Sequence, residues 1–359
     1  MNNVRTKKVL RSGYTTGACA TACAYAAAYA LFSGEKPHTV NISLPAGQSV
    51  LFEVVYAKAI NNRMRCHTIK DAGDDPDVTH GAEIGVTIEL LETQQGFVFH
   101  AGKGVGIVTK PGLPCAVGEA AINPVPKKMI RQHLQQLAQQ FNYDQGFKVT
   151  IDVVNGEDLA KKTLNSRLGI VGGLSILGTT GIVKPFSCSA YIASIQQAID
   201  VAQANGQTHL VACTGSTSER AAQATLALPE VNYIEVGDFI GAFLKYKNLN
   251  AKELTIAGGL GKCIKLAQGH LNLHSQYSRI DFRQLAQIFV ELGASDELQQ
   301  KIIQSNTSEE AYTHAQQAGI DLAEPVAKTI QNHLHQRFSK FDTIEIIIVN
   351  RAGEIIARV

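Results

Sequence analysis

The sequence has almost no charge imbalance: 33 lysines and arginines face 31 aspartates and glutamates, a formal net charge of +2. That excludes nucleic acid as the main partner, since phosphate backbones are met by clustered cations and no dense Lys/Arg run occurs. Long apolar runs are missing as well. None approaches the roughly 20 residues of a spanning helix, so no membrane partner is expected. The first ten residues, M-N-N-V-R-T-K-K-V-L, carry charge but no apolar stretch, and no secretory leader is expected. The seven cysteines include no C-x-x-C pair, which excludes a zinc ribbon and a disulfide framework. Reduced thiols in a cytoplasmic protein account for them. Neither G-x-x-x-x-G-K-[ST] nor G-x-G-x-x-G occurs, so the Walker A loop and the nicotinamide fingerprint are both absent.

What is present is length and glycine. At 359 residues the chain exceeds the size at which one core stops growing, so two domains are expected, residues 1–182 and 183–359. The stretch from Asn165 to Pro185 holds Gly169, Gly172, Gly173, Gly178 and Gly181 among small apolar residues, with hydroxyls at Ser175, Thr179 and Thr180. Glycine suits places where the backbone turns sharply or comes close to something. The stretch reads as a small-molecule loop at the join of two domains, or as a tight crossing with no ligand.

In the first half, Thr15 or Thr16 caps an Ala-rich helix from Gly17 to Phe32 that Ser33-Gly34 ends. Cys19 and Cys23 share one face of it as small fillers. Strand-like runs follow at Thr39–Leu44, Val50–Ala59, Met64–Ile69, Ile84–Leu91, Gly96–Ala101 and Phe147–Asn155, with a helix at Lys127–Phe141. Their alternation predicts an α+β domain with a mainly antiparallel sheet. An acidic loop interrupts the strands, K-D-A-G-D-D-P-D-V-T-H-G at 70–81. Its spacing is not that of an EF-hand. It is either a solvated turn of Asx caps or a working cluster, Asp71, Asp74, Asp75, Asp77 and His80, in which repulsion raises a carboxyl pKa. G-K-G-V-G at 102–106 sets Lys103 among bare backbone, a recognition surface for an anion.

The second half alternates helix and strand: helices at Cys188–Asn205, Ser218–Leu226, Phe239–Leu249 and Gly261–Ala267, strands at His209–Cys213, Asn232–Val236 and Leu254–Ala257. Several helices between Phe282 and Phe338 and a terminal hairpin around Asn350-Arg351-Ala352-Gly353 complete it. The pattern predicts a Rossmann-like α/β domain with a mostly parallel sheet. Loops at strand ends, Thr214-Gly215-Ser216-Thr217, Gly237-Asp238 and Gly258-Gly259-Leu260-Gly261-Lys262, suit a nucleoside-type ligand or are ordinary turn chemistry.

Taken together, these blocks resemble a known family. They are G-Y-T-T-G at 13–17, the acidic loop at 70–81, G-K-G-V-G at 102–106 and A-I-N-P at 121–124. L-G-I-V-G-G-L-S-I-L-G-T-T-G at 168–181, G-D at 237–238 and G-K-C-I-K-L-A-Q-G at 261–269 continue the series. In order and over nearly the whole chain they resemble the cobalt-precorrin-5B C1-methyltransferases of anaerobic cobalamin biosynthesis, departing from them at Ser216-Thr217. The resemblance implies an enzyme that moves the methyl group of S-adenosylmethionine to C1 of cobalt-precorrin-5B, giving cobalt-precorrin-6A. Cobalt then arrives in the substrate, and no protein metal site is expected. Under this reading Asp71, Asp75 and His80 are catalytic candidates. Lys70, Lys103 and Arg167, with Thr15 and Thr16, would meet the carboxylated tetrapyrrole. Gly178, Thr179, Thr180 and Gly181, then Gly215, Ser216, Asp238, Gly258 and Gly259, would hold the methyl donor. Expected partners are the substrate and, transiently, neighbouring pathway enzymes; a homodimer is one option for assembly. The alternatives are a non-catalytic tetrapyrrole carrier or scaffold and a small-molecule kinase, which lacks its signatures here.

Overall fold

A computed structural model of the chain describes residues 10–57 and 62–359. It is a mixed α/β protein with eleven α-helices among the described residues. They fall into two compact units, the first ending at Cys188 and the second beginning at Ser189.

In the first unit β1 (Gly13–Tyr14) leads directly into α1 (Thr16–Ser33). The Thr15 hydroxyl caps α1 by accepting from the Ala18 amide at 3.2 Å, and Gly34 closes it in the left-handed conformation. Alanines and two cysteines bury α1 on every side, which makes it the centre of a core rather than a surface helix. Burial pushes the Cys19 thiol up to about 12, so it sits there as an apolar filler.

A hairpin, β2 (Thr39–Ser43) and β3 (Ser49–Glu53), precedes β4 (Val55–Tyr56), β5 (Arg63–Ile69), β6 (Glu83–Leu90) and β7 (Phe97–Ala101). Short strands β8 (Gly104–Val105) and β9 (Ile107–Val108) lead to α2 (Pro124–Gln140) and β10 (Phe147–Val153). The main sheet has the order β4-β5-β6-β10-β7, antiparallel except for the parallel pair β10–β7. Phe147, Val149, Ile151 and Val153 point from β10 into the core, where α1 lies on β5 and β6 and α2 packs on α1. The opposite face is polar: Arg65 bonds Asp152 at 2.6 Å and Glu83 at 2.9 Å. The unit ends with α3 (Gly156–Ala160), β11 (Ile170–Val171), β12 (Gly173–Leu174) and β13 (Ile182–Val183).

The second unit follows on α4 (Cys188–Ala204), with β14 (His209–Cys213), α5 (Ser216–Leu226), β15 (Tyr233–Glu235), α6 (Ile240–Leu244), β16 (Glu253–Gly259) and α7 (Leu260–Ala267). Helices α8 (Phe282–Glu291), α9 (Asp296–Gln304), α10 (Ser308–Gln317) and α11 (Ala323–Arg337) precede β17 (Thr343–Val349) and β18 (Ile355–Arg358). The sheet order is β15-β14-β16-β17-β18, parallel up to β17 with β18 antiparallel at the edge. Val211, Cys213, Ala257 and Ile347 face α5 and its Ala222 on one side. Their neighbours Leu210, Ala212, Ile256 and Ile346 are buried on the other, as a sheet covered on both faces requires.

Three expected elements differ. The run Val50–Ala59 is two strands, because β3 pairs with β2 while β4 pairs with β5; its expected end at Ala59 lies outside the described residues. The helix expected from Lys127 starts at Pro124 behind Asn123, with proline filling the first turn. The helix expected to reach Leu249 stops at Leu244. Beyond it Gln203 of α4 takes up the Asn248 carbonyl and the Asn250 amide.

Candidate active site

In the first unit three distant stretches meet at the start of α1. Ser12 bridges to Gly73, the Tyr14 amide donates to the Asp71 carbonyl at 2.7 Å, and Thr15 N–H donates to the Gly181 carbonyl at 3.0 Å. The first turn of a helix offers unpaired N–H groups that could hold an anion. Here two of them are taken. Gly17 N–H donates to the Leu177 carbonyl at 3.0 Å, and Ala18 N–H goes to the Thr15 cap. Thr15 and Thr16 are buried, and the Thr16 hydroxyl accepts from Leu177 N–H at 3.0 Å. Both threonines therefore build the joint rather than face a tetrapyrrole.

The acidic loop is ordered by pairing, not strained by repulsion. Arg11 grips the Asp71 carboxylate with both terminal guanidinium nitrogens, Nη1 and Nη2, and the Gly73 amide donates to Asp71 at 2.9 Å. The Arg11 bond, then the amide, hold the Asp71 carboxyl down at about 2, so Asp71 is a very weak base. Lys70 is 1% exposed and its ammonium bonds Asp77 at 2.7 Å, which turns it away from any substrate carboxylate. Burial pushes the Asp77 carboxyl up, but Lys70 and Thr79 outweigh it and leave it below its ordinary range. The expected raised carboxyl is thus replaced at Asp71 and Asp77 by lowered ones. His80 is exposed; its Nδ1 accepts from the Ala72 amide at 3.1 Å, so in the neutral ring Nε2 carries the proton. Asp75 accepts the Phe186 N–H at 2.9 Å.

The glycine-rich stretches serve mainly to bring chain against chain. A Cβ on Gly173 would overlap the Gly104 carbonyl, and one on Gly178 the Thr15 side chain. Lys103 is exposed, Arg167 half-buried, and Thr179 and Thr180 exposed on the turn before β13. Gly181 is buried against Leu44.

The second unit contains a cleft of about 490 Å³. Its floor is the carboxyl ends of β14 and β16, and its walls include the first turns of α5 and α7. Neither helix has a side-chain cap, so their first-turn N–H groups point at the cleft without a capping oxygen. Gly215, Ser216 and Gly259 line it, together with Thr217, Lys262 and Tyr312. The Lys262 ammonium donates to the Thr214 carbonyl at 2.6 Å and pairs with Asp238 at 3.0 Å. Asp238 is thereby tied to the cleft wall without lining it. Gly258 is a packing residue, since a Cβ there would stand 2.9 Å from the Cys263 sulfur. On the rim, Arg351 of the β17–β18 turn reaches Glu309 at 3.5 Å.

The chain matches the family described as CbiD over residues 3–185 and its C-terminal domain over 272–359. It is 50% identical over 350 residues to a cobalt-precorrin-5B C(1)-methyltransferase of Pseudomonas paraeruginosa, covering 97% of this chain and 95% of that protein. The chain belongs to the CbiD family. A namesake from Burkholderia thailandensis is 51% identical over 348 residues, covering 97% and 96%. The crystal structure of the cobalamin biosynthesis protein CbiD from Archaeoglobus fulgidus is 28% identical, covering 87% of this chain and 85% of that one at a TM-score of 0.40. No helix among the described residues is long and apolar enough to cross a membrane. The two CbiD matches leave 186–271 between them, and that interval carries the cleft loops at 214–218 and 259–262. Sequence reasoning missed Lys262, although it stands in a quoted glycine loop; the signal was a cation just inside a helix after a strand. Ser308 and Tyr312 had no such signal, because α10 reaches the cleft only through the fold.

Proposed function

We propose that this CbiD-family chain transfers a methyl group from S-adenosylmethionine to C1 of cobalt-precorrin-5B, and that the cleft of the second unit holds the methyl donor. The curated relatives' names support the reaction at half identity over nearly the full length. We read the second unit as Rossmann-like: the strand order turns back between β14 and β16, and ligands of open α/β sheets sit at such a switch point. Gly215 and Gly259 carry the assignment of the donor. Gly215 is extended at φ 176° and Gly259 has φ −71°, conformations open to any residue. A Cβ on either meets nothing within 4 Å. Neither backbone strain nor packing asks for glycine there, which leaves close approach of a ligand to the main chain.

The donor set fits. First-turn amides and Ser216 suit the donor's carboxylate, and Glu309 suits its ammonium. Tyr312 offers a ring face. When bound, the donor supplies an electrophilic methyl group. The chain's part is positioning: rigid strand ends fix the donor, and Lys262 holds the Thr214 and Asp238 loops together. In the first unit His80 presents Nε2–H, and Lys103 and Arg167 are the cations for substrate carboxylates. We place the enzyme in the cytoplasm.

Calorimetric titration of the full chain with S-adenosylhomocysteine tests the donor site. Gly215→Val and Gly259→Val should melt like wild type and lose affinity by about tenfold or more, as a side chain fills space the ligand needs. Wild-type affinity in both variants would move the donor elsewhere. Methyl transfer to cobalt-precorrin-5B by the unmodified chain tests the reaction itself.

A further inference from the structure

Four described non-glycine residues have positive φ: Asn142, Asn155, Phe186 and Ala227. Asparagine tolerates the left-handed region and alanine is small; an aromatic residue there is a genuine outlier. Phe186 stands at φ 54°, and the residue is 68% exposed. A strained backbone and a solvated ring both work against folding, so neither is explained by the stability of the unit. The conformation is held by a carboxylate 111 residues earlier, Asp75 Oδ1, which accepts the Phe186 N–H at 2.9 Å. That carboxylate is itself on a fixed loop. Its neighbour Asp74 exchanges two hydrogen bonds with the Arg11 backbone, at 2.7 and 2.9 Å, and Arg11 clamps Asp71. The backbone that carries the ring is therefore held in place. Two residues before it in the chain stands exposed Lys184.

We propose that Phe186 is a substrate-contact residue whose ring stacks on the broad face of the tetrapyrrole, and that Asp75 is the positioning residue that holds it there. The proposal rests on the reading of the substrate given above. A flat, carboxylated macrocycle is the ligand that uses an aromatic plate and a neighbouring ammonium together. It also gives Asp75 a role different from the base expected from the sequence. An amide acceptor at position 75 needs an oxygen, not a titrating group.

Steady-state kinetics of the full chain with cobalt-precorrin-5B separates these roles. Phe186→Ala should raise KM for the tetrapyrrole about tenfold, the size of one lost stacking contact, with kcat and affinity for S-adenosylhomocysteine unchanged. Phe186→Tyr should behave as wild type. Asp75→Ala should raise KM as Phe186→Ala does, whereas Asp75→Asn, which keeps the acceptor oxygen, should restore it. An unchanged KM in Phe186→Ala, or a kcat lost equally in Asp75→Asn and Asp75→Ala, overturns the proposal. A second readout needs no turnover. The chain has no tryptophan, so Phe186→Trp carries a single reporter. Cobyrinic acid, a stable carboxylated cobalt corrin, should shield that reporter from iodide quenching, and S-adenosylhomocysteine should not. Unaltered iodide access overturns the stacking role even where the wild-type chain shows no methyl transfer. Shielding without turnover would instead sink the proposed reaction and keep the contact.

Discussion

Two ion pairs of the acidic loop show how burial decides what a charge is worth. Lys70 is 1% exposed and Asp77 25%, so each charge depends on the other. Removing one partner strands the other in a poorly solvated site. Asp77→Ala should cost about 3–5 kcal/mol in chemical denaturation, and Lys70→Met clearly less, since the Asp77 carboxylate it strands is a quarter exposed and keeps its bonds from Thr79. Equal losses would mean that the pair is solvated. The Arg11–Asp71 pair is open to water, with 59% and 43% of the two side chains exposed, and salt will screen it. Its sign with pH follows from Asp71, whose carboxyl falls from an ordinary 3.8 to about 2 in the folded chain. A lowered carboxyl stabilises above its unfolded pKa and loses that contribution as pH falls through the folded one. The melting-temperature difference between wild type and Arg11→Met should thus be constant above about pH 5 and vanish towards about pH 2. A difference that grew on acidification would refute the pairing. Neither pair was legible in the sequence, where four aspartates in one loop suggested mutual repulsion. Of the cations that relieve it, Lys70 was read as a substrate ligand, and Arg11 lies outside the loop, 60 residues before Asp71.

At the scale of elements, local signals were read well and exchanges of partner were not. The start of α1 was visible as threonines before an alanine run, and the cap proved to be Thr15. What threonine spacing could not tell is that Gly178, in a stretch 163 residues later (178 − 15), presses on that cap. Gly178 has φ 132°, which disfavours any side chain, and a Cβ would displace the Thr15 hydroxyl. Gly178→Ala should therefore lose the cap, about 1 kcal/mol, on top of about 1–3 kcal/mol of backbone strain. Thr15→Ala should lose the cap alone. In the double variant the two costs should not add, because one hydroxyl is lost once. Full additivity in thermal melts would show that Gly178 acts elsewhere. The break of the Val50–Ala59 run belongs to the same class: periodicity sees a strand but not which neighbour each end pairs with.

At the scale of the molecule, the alternation of helices and strands after Cys188 exposed the sheet, and glycine at strand ends exposed the cleft floor. The cleft walls were hidden, because Tyr312, Arg351 and Lys262 come from three separate elements that only the strand order β14-β16-β17 brings together. A site built that way makes a prediction about the whole chain. A ligand that binds only the folded second unit stabilises it by about 2.7 kcal/mol at a hundredfold excess over Kd. The first unit has its own core, formed by α1, α2 and the five-stranded sheet. Hydrogen exchange on the full chain with S-adenosylhomocysteine should therefore slow in peptides covering 214–218 and 259–262 and in β14 and β16 behind them. Peptides of β10 and α1 should exchange as before. Lys262→Ala, which unties the Thr214 and Asp238 loops, should abolish the protection while leaving β10 unchanged. Protection that appeared first in the 165–185 stretch would place the donor in the first unit and make the cleft a site for something else.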